Sequence, residues 1–223
     1  MRAYLKSHLR SGMYQALSRL YAEAKLGQLH RRSLNRAARA TWPSPLKLHC
    51  GCGDNLKPGW VNIDPLNKRA DLQLDLRESL PFHDNSASII YSEHFFEHLE
   101  YPTEVNKFLA ESLRILIAGG EFRVVVPDTE WPLLSYAKAD AEYFDLARAK
   151  WHPAWCNTRM HNINYHFRQG SEHKYAYDFE TMAAVLRKAG FASIEHREFD
   201  PVIDTAQRKI GSLYVSAFKQ TVS

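Results

Sequence analysis

The chain predicts an α/β fold on a mostly parallel sheet, and three observations predict it. Short apolar runs over 46–50, 60–64, 71–74, 88–92 and 121–126 alternate with polar or helix-patterned segments. Gly51 and Gly53 directly follow the first run, where a missing Cβ lets the backbone approach a ligand closely. Asp64 ends the second run, placed to accept hydrogen bonds from a ribose. A site for a nucleoside-containing cofactor is therefore expected beyond the carboxyl ends of the strands.

Residues 3–38 lack proline, and Leu5, Leu9, Met13, Leu17, Leu20 and Ala24 recur at helical spacing, with Gly27 a candidate break. Residues 1–43 carry nine Lys or Arg against the single acid Glu23, so this segment is +8 and the rest of a +4 chain is −4. This is a basic amphipathic helical extension. It is expected to dock on the domain, because the connections 51–59 and 64–70 are too short to hold the helices that usually cover a parallel sheet. Peripheral contact with an anionic membrane and an organellar presequence are the other readings of residues 1–43. Trp42-Pro43-Ser44-Pro45 is the hinge into a domain spanning 44–223.

Along that domain, Thr103 as N-cap and Glu104 open a helix over 103–117. A second helix is predicted at 132–149. Residues 151–177 are rich in His, Asn, Tyr and Trp without a clear period and read as a lid or substrate loop. Asp178 caps a helix running to Lys188, which Gly190 ends. Strands at 192–198 and 212–219 close the sheet.

The length suits one domain with a single core. No apolar run approaches the roughly 20 residues that span a bilayer, and the start has no secretory h-region. Three cysteines are too few for a disulfide framework, which points to a reducing, cytoplasmic setting. Cys50 and Cys52 read as small residues packed at a tight loop.

A dinucleotide fingerprint is excluded: Leu56 occupies its third glycine position, and Asp64 follows Gly53 too soon. The blocks Leu48-His49-Cys50-Gly51-Cys52-Gly53-Asp54-Asn55, Asp71–Leu76, Ile89–Leu99 and Gly119–Asp128, with Asp64 between the first two, instead resemble the class I, Rossmann-like S-adenosylmethionine (SAM)-dependent methyltransferases. They look closest to small type-11-like members associated with polysaccharide and glycolipid biosynthesis. The resemblance covers 46–128 well and 172–218 loosely. It implies a three-layer Rossmann-like methyltransferase sheet, mostly parallel with an antiparallel C-terminal strand, behind the N-terminal helical extension. It also implies SAM as cofactor and S-adenosylhomocysteine as product, with Cys50, Gly51, Gly53, Asp64, Asp75, Leu76, Ser92 and Glu93 as cofactor-binding residues. In that scheme Asp75 accepts from the adenine amine beside Leu76. His49 stands where the family usually has an acid. Asn55 replaces the usual third glycine and tolerates left-handed geometry better than most residues.

Methyl transfer needs orientation and a deprotonated nucleophile more than acid catalysis, since the leaving thioether is neutral. His173, in a segment resembling the family's motif before a helix, is the first candidate base. Asp128, at the end of a strand, is the second, and His94 lies near the transferring methyl by resemblance. His94 and His98 at i, i+4 are the sharper metal alternative, but spacing shows no complete ligand set, so no metal is expected. The expected acceptor is a small molecule or glycan, through a hydroxyl of a sugar or glycolipid intermediate. A nucleic-acid methyltransferase and a non-catalytic SAM-binding scaffold at a membrane are the rivals. The oligomeric state is not legible.

Overall fold

The computed structural model describes residues 11–221. Leu5 and Leu9 of the predicted stripe, and the cations Arg2, Lys6 and Arg10, lie outside the described residues. The elements are α1 (Ser11–Ala37), β1 (Leu46–Cys50), β2 (Val61–Ile63), β3 (Ala87–Glu93), α2 (Thr103–Ile115), β4 (Leu116–Pro127), α3 (Glu130–Ala137), α4 (Glu142–Lys150), α5 (Arg159–Arg168), α6 (Phe179–Ala189), β5 (Ser193–His196) and β6 (Ser212–Phe218). The six strands form one sheet in the order β2-β1-β3-β4-β6-β5. β1 to β4 pair in parallel, and β6 is antiparallel to both its neighbours. The run at 71–74 makes only an isolated parallel bridge, Ile63 to Leu72, at the sheet's edge.

Alternation along the strands divides the sheet's two faces. Leu48, Ile90, Phe122, Val124 and Val215 form the main core with Phe108 and Leu109 of α2 and Met182 and Leu186 of α6. The opposite face carries Tyr91, Val125 and Tyr214, which meet Trp60, Phe199 and Ile203. That third layer is a loop, 197–208, ending in a single 3-10 turn at Ala206–Arg208, rather than α-helices. Asp204, buried, locks it: Arg197 grips its carboxylate through two bonds of 2.6 and 2.8 Å, and Tyr91 donates its hydroxyl at 3.1 Å.

The N-terminal helix docks, but by one end and on the other side of the sheet from the face expected. Leu34 and Ala37 join the main core, while Met13, Leu17 and Leu20 stay exposed. The docked end caps the sheet's edge. Ser33 Oγ accepts from Gln73 N–H at 2.9 Å, and His30 Nδ1 accepts from Asp75 N–H at 3.0 Å. An edge left open there would expose unpaired donors. The helix continues through Gly27, since the docked residues that follow outweigh a glycine's cost of roughly 1 kcal/mol.

Three local expectations are corrected. Thr103 is the first helical residue, not the cap, and Glu104 reaches back to accept from Glu100 N–H at 2.8 Å. The helix predicted at 132–149 is two, broken where Ala139 takes φ +56° and Asp140 accepts from Glu142 N–H to open α4. The supposed loop 151–177 contains α5, whose Thr158 cap accepts from His161 N–H. Its polar composition hid the helical period. Asp178 and Gly190 cap α6 as expected.

Replacing Asp204 by Ala leaves Arg197 without its buried partner. Urea unfolding is expected to show a loss of about 3–5 kcal/mol, the scale for breaking a buried pair.

Candidate active site

Register sets the site. Cys50 pairs with Ile63 on one side and Ser92 on the other, and Ser92 pairs with Val124. The turns that start at Gly51, Asp64, His94 and Asp128 therefore leave the same edge of the sheet. Ligands in such sheets bind in the crevice beyond these ends.

Gly51 has φ +71°, and a Cβ there would lie 2.4 Å from Phe95, so the chain passes under that ring only as glycine. Gly53, at φ +49°, has open space where its Cβ would be. Its N–H donates to Asp64 Oδ2 at 2.9 Å, and the N–H groups of Leu66 and Asn67 donate to Oδ1 at 2.8 Å. A carboxylate has about four acceptor sites, so Asp64 ties the glycine loop to the second strand and keeps room for a further donor. Asn55 does not take a left-handed conformation; it donates from its side chain to Thr205 Oγ1 at 3.4 Å. His49 is buried against Asn62 and Tyr91, and burial drives its pKa down to about 3. It is a neutral packing group.

Two cavities open at this edge. The first, about 530 Å³, is walled by Pro65, Asp75, Leu76, Phe95 and Leu99, and by Arg19, Glu23 and Leu26 of α1. Asp75 accepts from Arg77 Nε and Nη2 at 2.9 Å, and Arg77 also donates to Glu23 at 2.7 Å. Burial pushes the Asp75 carboxyl up, but the bonds from Arg77 outweigh it and hold the group below its ordinary value. Of the residues expected at the cofactor, only Asp75 and Leu76 line a cavity; Cys50, Gly51, Gly53, Asp64, Ser92 and Glu93 line neither. Glu93 accepts from the N–H of Thr205 at 3.0 Å and from its hydroxyl, and Arg208 donates to the Glu93 carbonyl at 2.8 Å.

The second cavity, about 410 Å³, is lined by His94, Glu97, His98, His166 and His173, with Tyr143, Trp151, Tyr165, Gln207 and Arg208 among the rest. His98 lines both cavities and stands between them. The turn from Ser92 to His98 holds this wall: His94 takes φ +51°, and its N–H donates to Val125 O at 2.8 Å. The Lys174 N–H donates to Glu97 O at 2.8 Å, which brings His173 beside His98. His94 Nε2 lies 2.8 Å from Ser212 Oγ. The Asp128 carboxylate accepts from Glu130 N–H at 3.0 Å, at the start of α3, and lines neither cavity.

Glu97 is the anomaly. It is 2% exposed, and neither carboxylate oxygen has a hydrogen-bond partner among the described residues. The nearest cationic candidates are His94 Nδ1 at 3.7 Å and His98 Nε2 at 4.0 Å. Burial pushes the Glu97 carboxyl up to about 8. Burial also lowers the imidazoles of His94, His98 and His173, and takes His166 down to about 4. Near neutral pH the cavity thus presents uncharged rings around an acid held partly protonated. Sequence reasoning named His94 and His173 and set aside His98 as a metal ligand, and it had no signal for Arg208 or for the α1 residues.

Residues 48–124, about a third of the chain, match a family model described as a methyltransferase domain. No curated protein matches the chain. Among solved structures, one similar to this chain is a SAM-dependent methyltransferase of Thermotoga maritima, described as a possible histamine N-methyltransferase. It is 14% identical over 87% of this chain and 92% of that one, at TM-score 0.46. A second is a complex of the Haloferax volcanii Trm112 methyltransferase activator with a methyltransferase, 16% identical over 90% and 94%, at 0.46. A third is phosphoethanolamine N-methyltransferase 2 of Haemonchus contortus, with phosphomonomethylethanolamine and S-adenosylhomocysteine, 13% identical over 86% and 53%, at 0.45.

Two expectations follow. Gly51→Ala should destabilise the fold more than Gly53→Ala, whose cost is confined to the roughly 1–2 kcal/mol of a left-handed residue; thermal unfolding of both variants checks the order. For Glu97, a folded-state pKa raised to about 8 means that its contribution is full at low pH and is lost as pH rises from about 4.5 to about 8. The stability of Glu97→Gln relative to the parent should therefore climb across that window and level off above it, in urea titrations in metal-free buffer.

Proposed function

We propose that this SAM-dependent methyltransferase transfers its methyl group to a hydroxyl of a small polyhydroxylated acceptor, a sugar or glycolipid intermediate, held in the histidine-lined cavity. Its cofactor is S-adenosyl-L-methionine. The observation that carries the reading is the pair of adjoining cavities divided by His98. One meets Asp75 and Leu76, the residues expected at the adenine; the other is lined by polar groups and aromatic rings. Rings such as Trp151 and Tyr165 offer faces for the C–H side of a sugar, while Gln169, Gln207 and Arg208 offer donors for its hydroxyls.

In the reaction an acceptor oxygen forms a bond to the methyl carbon as the carbon–sulfur bond breaks. The electron pair of that bond stays on sulfur, which becomes a neutral thioether. The acceptor proton must leave. We assign its removal to the cluster of Glu97, His98 and His173, with His94 beside it; Asp128 is too engaged with α3 to be preferred. The two cavities lie on one wall, so binding both substrates supplies the orientation that such a displacement chiefly needs. Asp64 is assigned to the ribose, using its remaining acceptor site.

The exposed Met13, Leu17 and Leu20 recur along one face of α1, and Arg19 and Lys25 share the helix. They support peripheral contact with an anionic bilayer, which sedimentation with anionic vesicles would test. Among the described residues no helix is long and apolar enough to cross a membrane. All three cysteines are free and buried, which suits a reducing, cytoplasmic compartment.

Calorimetric titration with S-adenosylhomocysteine tests the cofactor site. The parent should bind, and Asp64→Asn should bind at least tenfold more weakly while keeping its unfolding temperature within a few degrees. A folded parent that does not bind overturns the reading. Product release from SAM should then appear only when a hydroxylated acceptor, nucleotide sugar or glycan, is supplied.

A further inference from the structure

The cluster around His98, the residue that divides the two cavities, has the donors of a metal centre. One ligand atom from each of Glu97, His98 and His173 lies within 4.8 Å of the other two. Their tautomers are set by the backbone. His98 Nδ1 lies 3.1 Å from the Glu172 carbonyl, and His173 Nδ1 lies 3.0 Å from the His166 carbonyl. A carbonyl only accepts, so each Nδ1 carries the proton and each Nε2 is left as a lone pair. An imidazole whose far nitrogen donates to a carbonyl is the usual arrangement of a metal-bound histidine. The two rings stand edge to face, 5.2 Å between centres. The third donor, Glu97, is buried with both oxygens unpartnered, a state that costs free energy unless something completes it.

We propose that Glu97, His98 and His173 bind one divalent transition-metal ion, with Zn²⁺ the best-suited common ion, and that its open positions face the acceptor cavity. Two imidazole nitrogens and one carboxylate oxygen are a known catalytic zinc set, and they disfavour Mg²⁺ and Ca²⁺, which prefer oxygen. Bonds of about 2.0–2.2 Å put tetrahedral donors roughly 3.4 Å apart, so small side-chain rotations close the present spacing. His94, 3.7 Å from Glu97, flanks the site without being needed as a ligand. The unsatisfied acid is then explained: the ion supplies the charge that no side chain provides. If the methyltransferase reading holds, the ion also has a task there. With the lone pairs of Glu97, His98 and His173 engaged, the cluster would act through the ion in place of the base role assigned above: the ion would take an acceptor hydroxyl into an open position and lower its pKa, and the proton would leave to solvent.

The test needs neither SAM nor an acceptor, so it fails independently of that reading. Chelator-treated full-length protein is dialysed against Zn²⁺ and, separately, Co²⁺, and bound metal is counted by mass spectrometry. The parent should hold one ion per chain, and the Co²⁺ form should show visible d–d absorption. Glu97→Gln, a near-isosteric change, and His173→Ala should each weaken Zn²⁺ binding at least tenfold and alter the Co²⁺ spectrum. His161→Ala, on the exposed face of α5, should do neither. Far less than one Zn²⁺ on the folded parent overturns the proposal. So does stoichiometric binding that survives both ligand variants, or Mg²⁺ binding in preference to Zn²⁺.

Discussion

The parallel register of β1 with its two neighbours is the constraint on which the rest depends. With Cys50 level with Ile63 and Ser92, three turns emerge side by side, and the Phe95 ring comes down over Gly51. A slip of one residue would send Leu48 and Cys50 to the loop-covered face and His49 into the apolar core. It would also separate the glycine loop from the wall that carries His94 and His98. Packing and site geometry are thus specified by the same hydrogen-bond ladder, and the core's alternation protects the site without touching it.

Short connections have a second consequence. The links from β1 to β2, and from β2 to the bridge at Leu72, leave no helix to cover their side of the sheet. The loop 197–208 does that work instead. Loops rarely cover a sheet face, because their own backbone groups need partners. Here Asp204 accepts from Arg197, Tyr91 and the Asp200 N–H, which anchors the loop from inside. The same loop ends in Thr205 and Arg208, which secure Glu93, and Arg208 also reaches the histidine-lined cavity. Covering the sheet and closing the site are one structural act, which explains why an acid at the strand end, expected at the cofactor, is spent on the loop.

What the sequence disclosed and what it hid divide along the range of the forces involved. The six strands and the tight turn at Gly51 and Gly53 were legible because apolar alternation and backbone permissiveness are local, while the run at 71–74 looks the same by alternation yet forms only a bridge. The cap at Asp178 and the stop at Gly190 were legible for the same reason. α5 was not: His, Asn and Arg fill six of its ten positions, and buried Asn162, bonded to the Cys156 and Thr158 carbonyls, replaces the apolar residue a periodic pattern would need. The docking of α1 was anticipated, but its place was not, because it follows from acceptors on Ser33 and His30 meeting the edge at Gln73 and Asp75. Least visible was the meeting of His173 with Glu97 and His98. A backbone bond from Lys174 to Glu97 makes that contact, and no side-chain pattern reports it.

That hidden contact also accounts for the electrostatics of the site. A lone buried acid would ordinarily be paired with Arg or Lys, or replaced by an apolar residue, since orphaned charge in a low-dielectric interior is costly. Arg208 is near enough to be felt, yet it is turned to the Glu93 carbonyl and lies 3.7 Å from the Glu93 carboxylate. The groups that do face Glu97 are imidazoles, which near neutral pH carry no charge to offer. A set of neutral lone-pair donors around an unpaired carboxylate does not complete itself by protein hydrogen bonds. The fold holds the far nitrogens of His98 and His173 on main-chain carbonyls, so these two rings cannot flip to supply a proton without breaking those bonds, and His94 keeps its far nitrogen on the Ser212 hydroxyl. What the arrangement accepts is a positive charge from outside the protein, and the histidine-lined cavity reaches all three residues.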